Sequence, residues 1–281
     1  CEKPRQWTQF ETELLRQVAD QIGIAIAQAE LLEKETQQRI ELTASNAELE
    51  QFAYVASHDL QEPLRKIQAF SDRIIAKYND ILPPQGQDYL VRMQSAASRM
   101  QILIHDLLDL SRVTTKAQPF TKTNLKEIVQ EVLEDLEILI QQNQGKVYYQ
   151  DLPTLKADPL QMRQLFQNLI SNALKFHKSD LPPEINITCQ ILTSPTSPKT
   201  YQITVEDNGI GFEEKYLDRI FNAFQRLHGR NQYEGTGMGL AICRKIVERH
   251  CGILTAKSSL GVGSKFMIIL PMQQSQLSSG S

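Results

Sequence analysis

The stretch Asp158-Pro-Leu-Gln-Met-Arg-Gln-Leu-Phe-Gln-Asn168-Leu-Ile-Ser-Asn172-Ala-Leu-Lys175-Phe176 decides how this chain is read. Asp158 is an N-cap residue and Pro159 suits the first helical position, so a helix starts here and runs to Phe176. Leu165, Phe166, Leu169, Ile170 and Ala173 recur at helical spacing and form an apolar face. Asn168, Asn172 and Lys175, at i, i+4 and i+7, align on the other. Solvent alone gives no reason to align two amides, which are weak helix formers. Their carbonyl oxygens suit a hard divalent cation and the ammonium suits phosphate oxygens. A merely solvated helix face is the plainer reading of these residues taken alone.

Downstream stand two glycine-rich elements. Glu206-Asp207-Asn208-Gly209-Ile210-Gly211-Phe212 follows a β-rich run, and by itself its Asn-Gly would mark a hairpin turn. Gly235-Thr236-Gly237-Met238-Gly239-Leu240 immediately precedes an amphipathic stretch, where backbone N–H groups at a helix N-terminus can approach phosphates. Around these, Leu125 to Ile140 and Met238 to His250 have helical patterns. Val147–Tyr149, Ile185–Leu192, Tyr201–Val205, Ile253–Lys257 and Lys265–Leu270 read as strands. Thr193 to Pro198 reads as a hairpin tip. Together they predict an α+β two-layer sandwich.

Upstream the texture is helical. Leu14, Val18, Ile22, Ala25, Ile26 and Ala29, then Leu42, Leu49, Phe52, Val55 and Ala56, set an apolar seam near period 3.5, which predicts a long helix that pairs with a partner chain. Pro63 predicts a kink rather than a stop, because Leu64, Ile67, Phe70, Ile74 and Ile75 continue the period. The first turn segment is Lys77 to Gly86. After it, Tyr89, Met93, Ala96, Met100, Leu103, Leu107 and Leu110 predict a second helix packed along the first by that stripe. Two helices cannot enclose a core, so a four-helix bundle formed by dimerisation is expected.

The chain has 281 residues, 41% hydrophobic and 22% charged, with a net charge of −3. That excludes wholesale disorder and offers no basic field for nucleic acid. No apolar run approaches the ~20 residues of a membrane span. Cys1, Cys189, Cys243 and Cys251 lack metal or disulfide spacing and read as reduced thiols, so a cytoplasmic protein without membrane contact in this segment is expected.

Asn168-Leu-Ile-Ser-Asn172-Ala-Leu-Lys175-Phe176, Asp207-Asn-Gly209-Ile-Gly211, Phe221-Asn-Ala-Phe224-Gln-Arg226 and Gly235-Thr236-Gly237-Met-Gly239 resemble, in this order, the nucleotide-binding boxes of histidine kinases. The likeness covers most of residues 120 to 271. It implies a Bergerat-type ATP fold in which Asp207 reads the adenine amino group, Asn172 holds Mg²⁺, Lys175 and Arg226 meet phosphates and Phe176 packs near the base. It further implies a mobile lid from Phe212 to Thr236. Phe52-Ala-Tyr-Val-Ala-Ser57-His58-Asp59-Leu60-Gln61-Glu62-Pro63-Leu64-Arg65 resembles the phosphoacceptor box of the phytochrome-like branch. His58 would then be the acceptor, with Asp59 beside it to take the imidazole proton. The other histidines (His105, His177, His228 and His250) are expected to be surface or packing residues. Cys1 to Gln38 looks like the end of a GAF domain and its exit helix.

The expected division is therefore a sensor remnant and signalling helix (1–38), a dimerisation and phosphotransfer hairpin (39–118), an ATP-binding domain (119–272) and a flexible tail (273–281). A homodimer, a response-regulator receiver and an upstream sensor are the partners implied. Two rivals remain. A Bergerat-type ATPase would carry Glu where Asn168 stands, since an amide cannot activate water as a base. A silent dimeric module is disfavoured by the completeness of the boxes. Glu62 departs from the family's common Thr or Asn at that position. A carboxylate only accepts hydrogen bonds, so weak phosphatase activity is expected.

Overall fold

The computed structural model describes residues 8–78, 80–115, 118–194, 197–227, 233 and 235–272, without the side chains of 46–54, 56, 58, 114–115, 194 and 197. Within it the chain divides into two compact units, Cys1–Phe52 and Ala53–Ser281. In the first, the N-terminal part of helix α1 (Gln9–Tyr78) leaves its apolar seam in solvent, with Leu14, Val18, Ile22 and Ile26 all about half exposed. Among the described residues nothing in that unit buries the seam. The helix carries through Pro63, as the periodicity predicts, and ends one residue after Lys77.

In the second unit α1 is followed by α2 (Pro84–Thr115), which opens on a proline whose missing N–H costs nothing at a helix start. The stripe that α2 buries is not the one expected. Leu90, Ala97, Ile104 and Leu108 are buried, and Leu64 of α1 joins the last three in one cluster, with Ser57 and Ser71 buried one heptad to either side of Leu64. Tyr89, Met93 and Met100 are exposed instead, as are Leu60, Ile67 and Phe70 of α1. The hairpin thus carries two apolar faces, and the one built on Leu64, Ala97, Ile104 and Leu108 closes within the chain.

Five strands form the main sheet in the order β2-β4-β5-β7-β6: β2 (Lys146–Tyr149), β4 (Glu184–Ser194), β5 (Ser197–Asp207), β6 (Ile253–Ser259) and β7 (Gly263–Pro271). The β2–β4 pair is parallel and the others are antiparallel. Register puts Ile187 opposite Val205, Val205 opposite Phe266 and Phe266 opposite Ala256, so one row of alternating residues is carried across the sheet onto the helix layer. That layer comprises α3 (Leu125–Asp135), α5 (Pro159–Lys175) and α7 (Gly239–Arg249). Leu165, Phe166, Leu169, Ile170 and Ala173 of α5 lie in the core, as their spacing predicts. Each such buried side chain contributes about 1.5–3 kcal/mol.

The helix expected over Leu125–Ile140 is two, because α3 ends at Leu136 and α4 (Glu137–Gln142) restarts there. A two-stranded sheet, β1 (Thr121–Asn124) with β3 (Thr154–Ala157), went unpredicted. So did a 3₁₀ turn at Glu214–Tyr216 and the short α6 (Leu217–Ile220). Phe212, Ile220 and Phe221 are core residues, which corrects the reading of the whole span from Phe212 to Thr236 as a lid: its first ten residues are anchored. His228 and residues 229–232 and 234 lie outside the described residues.

The end of α2 belongs to the core of the α/β layer. Val113 is 3% exposed within it, and Leu107 and Leu110 pack against it. Beyond Val113 a polar knot takes over. Gln161 Nε2 donates to the Val113 carbonyl at 2.7 Å, and the Gln118 N–H donates to Asp158 Oδ2 at 2.8 Å. Arg249 reaches Asp158, Gln161 and the Gln118 carbonyl with its fork of donors. The other Asp158 oxygen caps α5 by accepting from Leu160 and Gln161 N–H. His250 is fully buried and accepts from the Asp158 N–H, while its Nδ1 faces the Ile246 carbonyl. Those partners require a neutral Nδ1–H ring, and burial holds its pKa below the usual histidine value.

Candidate nucleotide site

One cavity of about 420 Å³ opens where α5, the end of β5 and the N-terminus of α7 meet, within the usual size range of ligand pockets. Its shelf is the polar face of α5: Asn168, Asn172 and Lys175 all line it, with Phe176 at the helix end. Asn168 Nδ2 donates to the Gly239 carbonyl at 3.5 Å, tying the shelf to the first turn of α7. Lys175 Nζ stands 4.6 Å over the Phe176 ring, which meets the Tyr233 ring at 5.0 Å between centroids. A planar apolar wall thus adjoins a cation.

Asp207 ends β5 at the back of the cavity. Its Oδ1 accepts from the Gly209 N–H at 2.9 Å and from the Ser264 N–H at 3.2 Å. Burial is the main cause that lifts this carboxyl to about 6, against the smaller lowering by those two N–H groups. Gly211 has φ +62°, and a Cβ there would meet the Ser259 carbonyl oxygen at 2.0 Å. Only glycine fits this bend, and Gly211 lines the cavity together with Asp207. Gly209 is not part of the lining; it sits beneath, against the Phe176 carbonyl.

Gly235, Thr236, Gly237 and Gly239 form the opposite lip. A Cβ on Gly235 would come within 2.6 Å of Lys175 Nζ, so the backbone and the ammonium converge. Arg226 also lines the cavity and donates to the Gly235 carbonyl at 2.7 Å and to that of Tyr233. Of the acceptor pair, Asp59 is exposed on α1 and does not line the cavity; the His58 side chain lies outside the described residues. Glu62 pairs with Lys66 at 2.7 Å on the same helix.

Sequence reasoning missed Tyr233, Ser264 and the contribution of α2. Asp106 and Asp109 of α2 line the cavity, and Thr236 Oγ1 donates to Asp106 across 130 residues of chain. Asp109 faces His105 and Gln164, and burial raises its pKa. Two carboxylates on a charged helix carry no local signal of this placement.

Over residues 157–274 the chain matches the class described as histidine kinase-, DNA gyrase B- and HSP90-like ATPase. Residues 48–116 match the His Kinase A (phospho-acceptor) domain, so the two matches follow each other along the chain. The chain belongs to the histidine kinase family. It is 40% identical over 251 residues to cyanobacterial phytochrome A of Nostoc sp. (strain PCC 7120), covering 89% of this chain and 32% of that protein. Against phytochrome-like protein Cph1 of Synechocystis sp. (strain PCC 6803) it is 38% identical with the same coverage. The chain thus spans about a third of the length of these relatives. Among solved structures, full-length ShkA in complex with AMPPNP is similar in fold, with a TM-score of 0.59, 21% identity and coverage of 79% of this chain and 46% of that one. Among the described residues no helix is long and apolar enough to cross a membrane.

Proposed function

We propose that this chain is the transmitter of a dimeric, cytoplasmic sensor kinase that transfers the γ-phosphoryl group of Mg-ATP to His58 and then to an aspartate of a response regulator. The observation that carries the reading is the convergence of Asn168, Asn172, Lys175, Asp207 and the Gly235–Gly239 loop on one cavity. Asp207 accepts from the adenine amino group through the oxygen not committed to Gly209 and Ser264. Phe176 and Tyr233 offer the base an apolar wall. Lys175 and Arg226 meet the phosphates, and Asn172 supplies a carbonyl oxygen to Mg²⁺. Among the described residues no three His, Cys, Asp or Glu side chains converge as a metal cage. A cation there would be held jointly by the Asn172 amide and by phosphate oxygens. When bound, it neutralises charge on the phosphates.

The neutral imidazole of His58 attacks phosphorus, ADP leaves, and Asp59 takes the proton from the other ring nitrogen. Residues 39–118 serve as the dimerisation and phosphotransfer part, and the exposed faces of α1 and α2 meet a second copy. In this reading the seam before residue 39 couples these parts to a sensor domain of the same protein. Asn168, in the place of a general base, argues against plain ATP hydrolysis. The test is incubation with γ-labelled ATP followed by acid and by alkali. Label that survives alkali and is lost in acid supports a phosphohistidine; label stable in acid, or ADP release without labelled protein, overturns it.

Two outcomes follow from side chains already described. Since the Asp207 pKa is raised to about 6, its protonated form favours the nucleotide-free fold, and that stabilisation is lost as pH rises through 6. Binding needs the carboxylate, so affinity is expected to fall below pH 6, by up to about tenfold per pH unit. Adenosine titrations avoid the phosphate's own ionisation. A flat profile between pH 5 and 8 would remove Asp207 from adenine recognition.

Glu62, held by Lys66, leaves no hydroxyl or amide at that position to orient water. Glu62→Thr is expected to speed the decay of a phosphorylated receiver several-fold. Efficient dephosphorylation by the unaltered chain would refute this.

A further inference from the structure

We infer that Arg249 is a positioning residue for phosphoryl transfer, acting by clamping the segment that joins α2 to the catalytic layer. Four groups of that segment are held: the Val113 carbonyl by Gln161, the Gln118 N–H by Asp158, the Gln118 carbonyl by Arg249, and the Phe120 ring between Arg249 at 4.6 Å and His250 at 4.5 Å. Arg249 is the common member, because it also bonds Asp158 and Gln161. Without it the main chain at Gln118 loses one partner, and Asp158 and Gln161 lose a shared donor.

The clamp stands at the far end of two struts from the cavity. Asp158 and Gln161 open α5, whose other end carries Asn172 and Lys175; Arg249 closes α7, which starts where the Gly-rich lip ends. None of Asp158, Gln161 and Arg249 lines the cavity. At 1.5 Å per residue, Asp158 and Asn172 are about 20 Å apart along α5. A rotation of roughly 10° at the clamp would therefore swing the cavity by about 3.5 Å relative to the hairpin that carries His58. In-line transfer tolerates roughly 1 Å of misplacement before losing about a hundredfold in rate. A loosened clamp thus leaves nucleotide binding intact and spoils delivery. Of the polar contacts α2 makes with this layer, the Asp106–Thr236 bond lies inside the cavity and is open to competition from nucleotide, whereas the clamp lies outside it.

This inference rests on the kinase reading above. Arg249→Ala and Arg249→Lys, in the whole dimeric chain, separate the possibilities through three measurements: single-turnover labelling at saturating ATP, nucleotide affinity, and hydrogen exchange over residues 112–120. Arg249→Ala is expected to raise exchange in that peptide and to slow labelling by about tenfold or more, with affinity within about twofold. Arg249→Lys keeps the charge but not the fork and should fall between. Unchanged exchange, an unchanged or faster rate, or affinity falling in step with rate would each overturn the clamp. A parent chain that takes no label fails the kinase reading itself, which is a different result from an active parent whose variant is unaffected.

Discussion

His58→Ala is expected to take up no acid-labile label from γ-labelled ATP, however long the incubation, while binding nucleotide within a few-fold of the parent. The loss is total because an alanine offers no nucleophile, and no neighbour replaces it. Affinity is spared because the acceptor belongs to the phosphoacceptor domain match over residues 48–116 and the nucleotide site to the separate ATPase match over residues 157–274. The measurement pairs autophosphorylation with a nucleotide titration on the same preparation. Label retained by the variant would move the acceptor elsewhere, and His105 is the first place to look: its ring is largely exposed on α2 with Asp109 3.5 Å away.

Asn172→Asp should be nearly as severe, for an electrostatic reason. The two side chains have the same shape, and position 172 is only partly buried on the polar face of α5, so packing and melting temperature should hardly change. Charge does change. A carboxylate at 172 stands one helical turn from Lys175 and would pair with it, withdrawing the ammonium from phosphate. It also faces the triphosphate. Two unit charges about 5 Å apart at an effective dielectric of 20 repel by roughly 3 kcal/mol, or about two orders of magnitude. The autophosphorylation rate at fixed Mg-ATP is expected to drop at least about a hundredfold. A normal rate in a folded variant would dismiss Asn172 as the cation's ligand.

Much of the architecture is legible in residues that satisfy local rules. Asp158-Pro159 starts α5, glycine spacing marks both loops, and the 3.5-residue seam marks α1. What escaped had physical reasons. On α2, Leu90-Ala97-Ile104 and Tyr89-Met93-Met100 are both apolar stripes, and periodicity cannot say which closes inside one chain. Strands Thr121–Asn124 and Thr154–Ala157 alternate too briefly to show a pattern. The clamp joins Gln118, Asp158 and Arg249, whose ionic partners are 91 positions apart, and Asp106 looks like any solvated acid until Thr236 is folded onto it. Of the candidate site, the parts contributed by contiguous motifs could be read, and those contributed by a second element arriving from far along the chain could not.

The Thr236–Asp106 contact makes one hydroxyl answer to two masters. A nucleotide whose phosphates need the Gly235–Gly239 lip and a helix whose carboxylate occupies it draw on the same group, so each weakens the hold of the other. Thermodynamic reciprocity then fixes the magnitude: by whatever factor a seated α2 lowers nucleotide affinity, bound nucleotide unseats α2 by that same factor. On the reading proposed above, the hairpin would sense the nucleotide through this hydrogen bond, by the same factor in each direction.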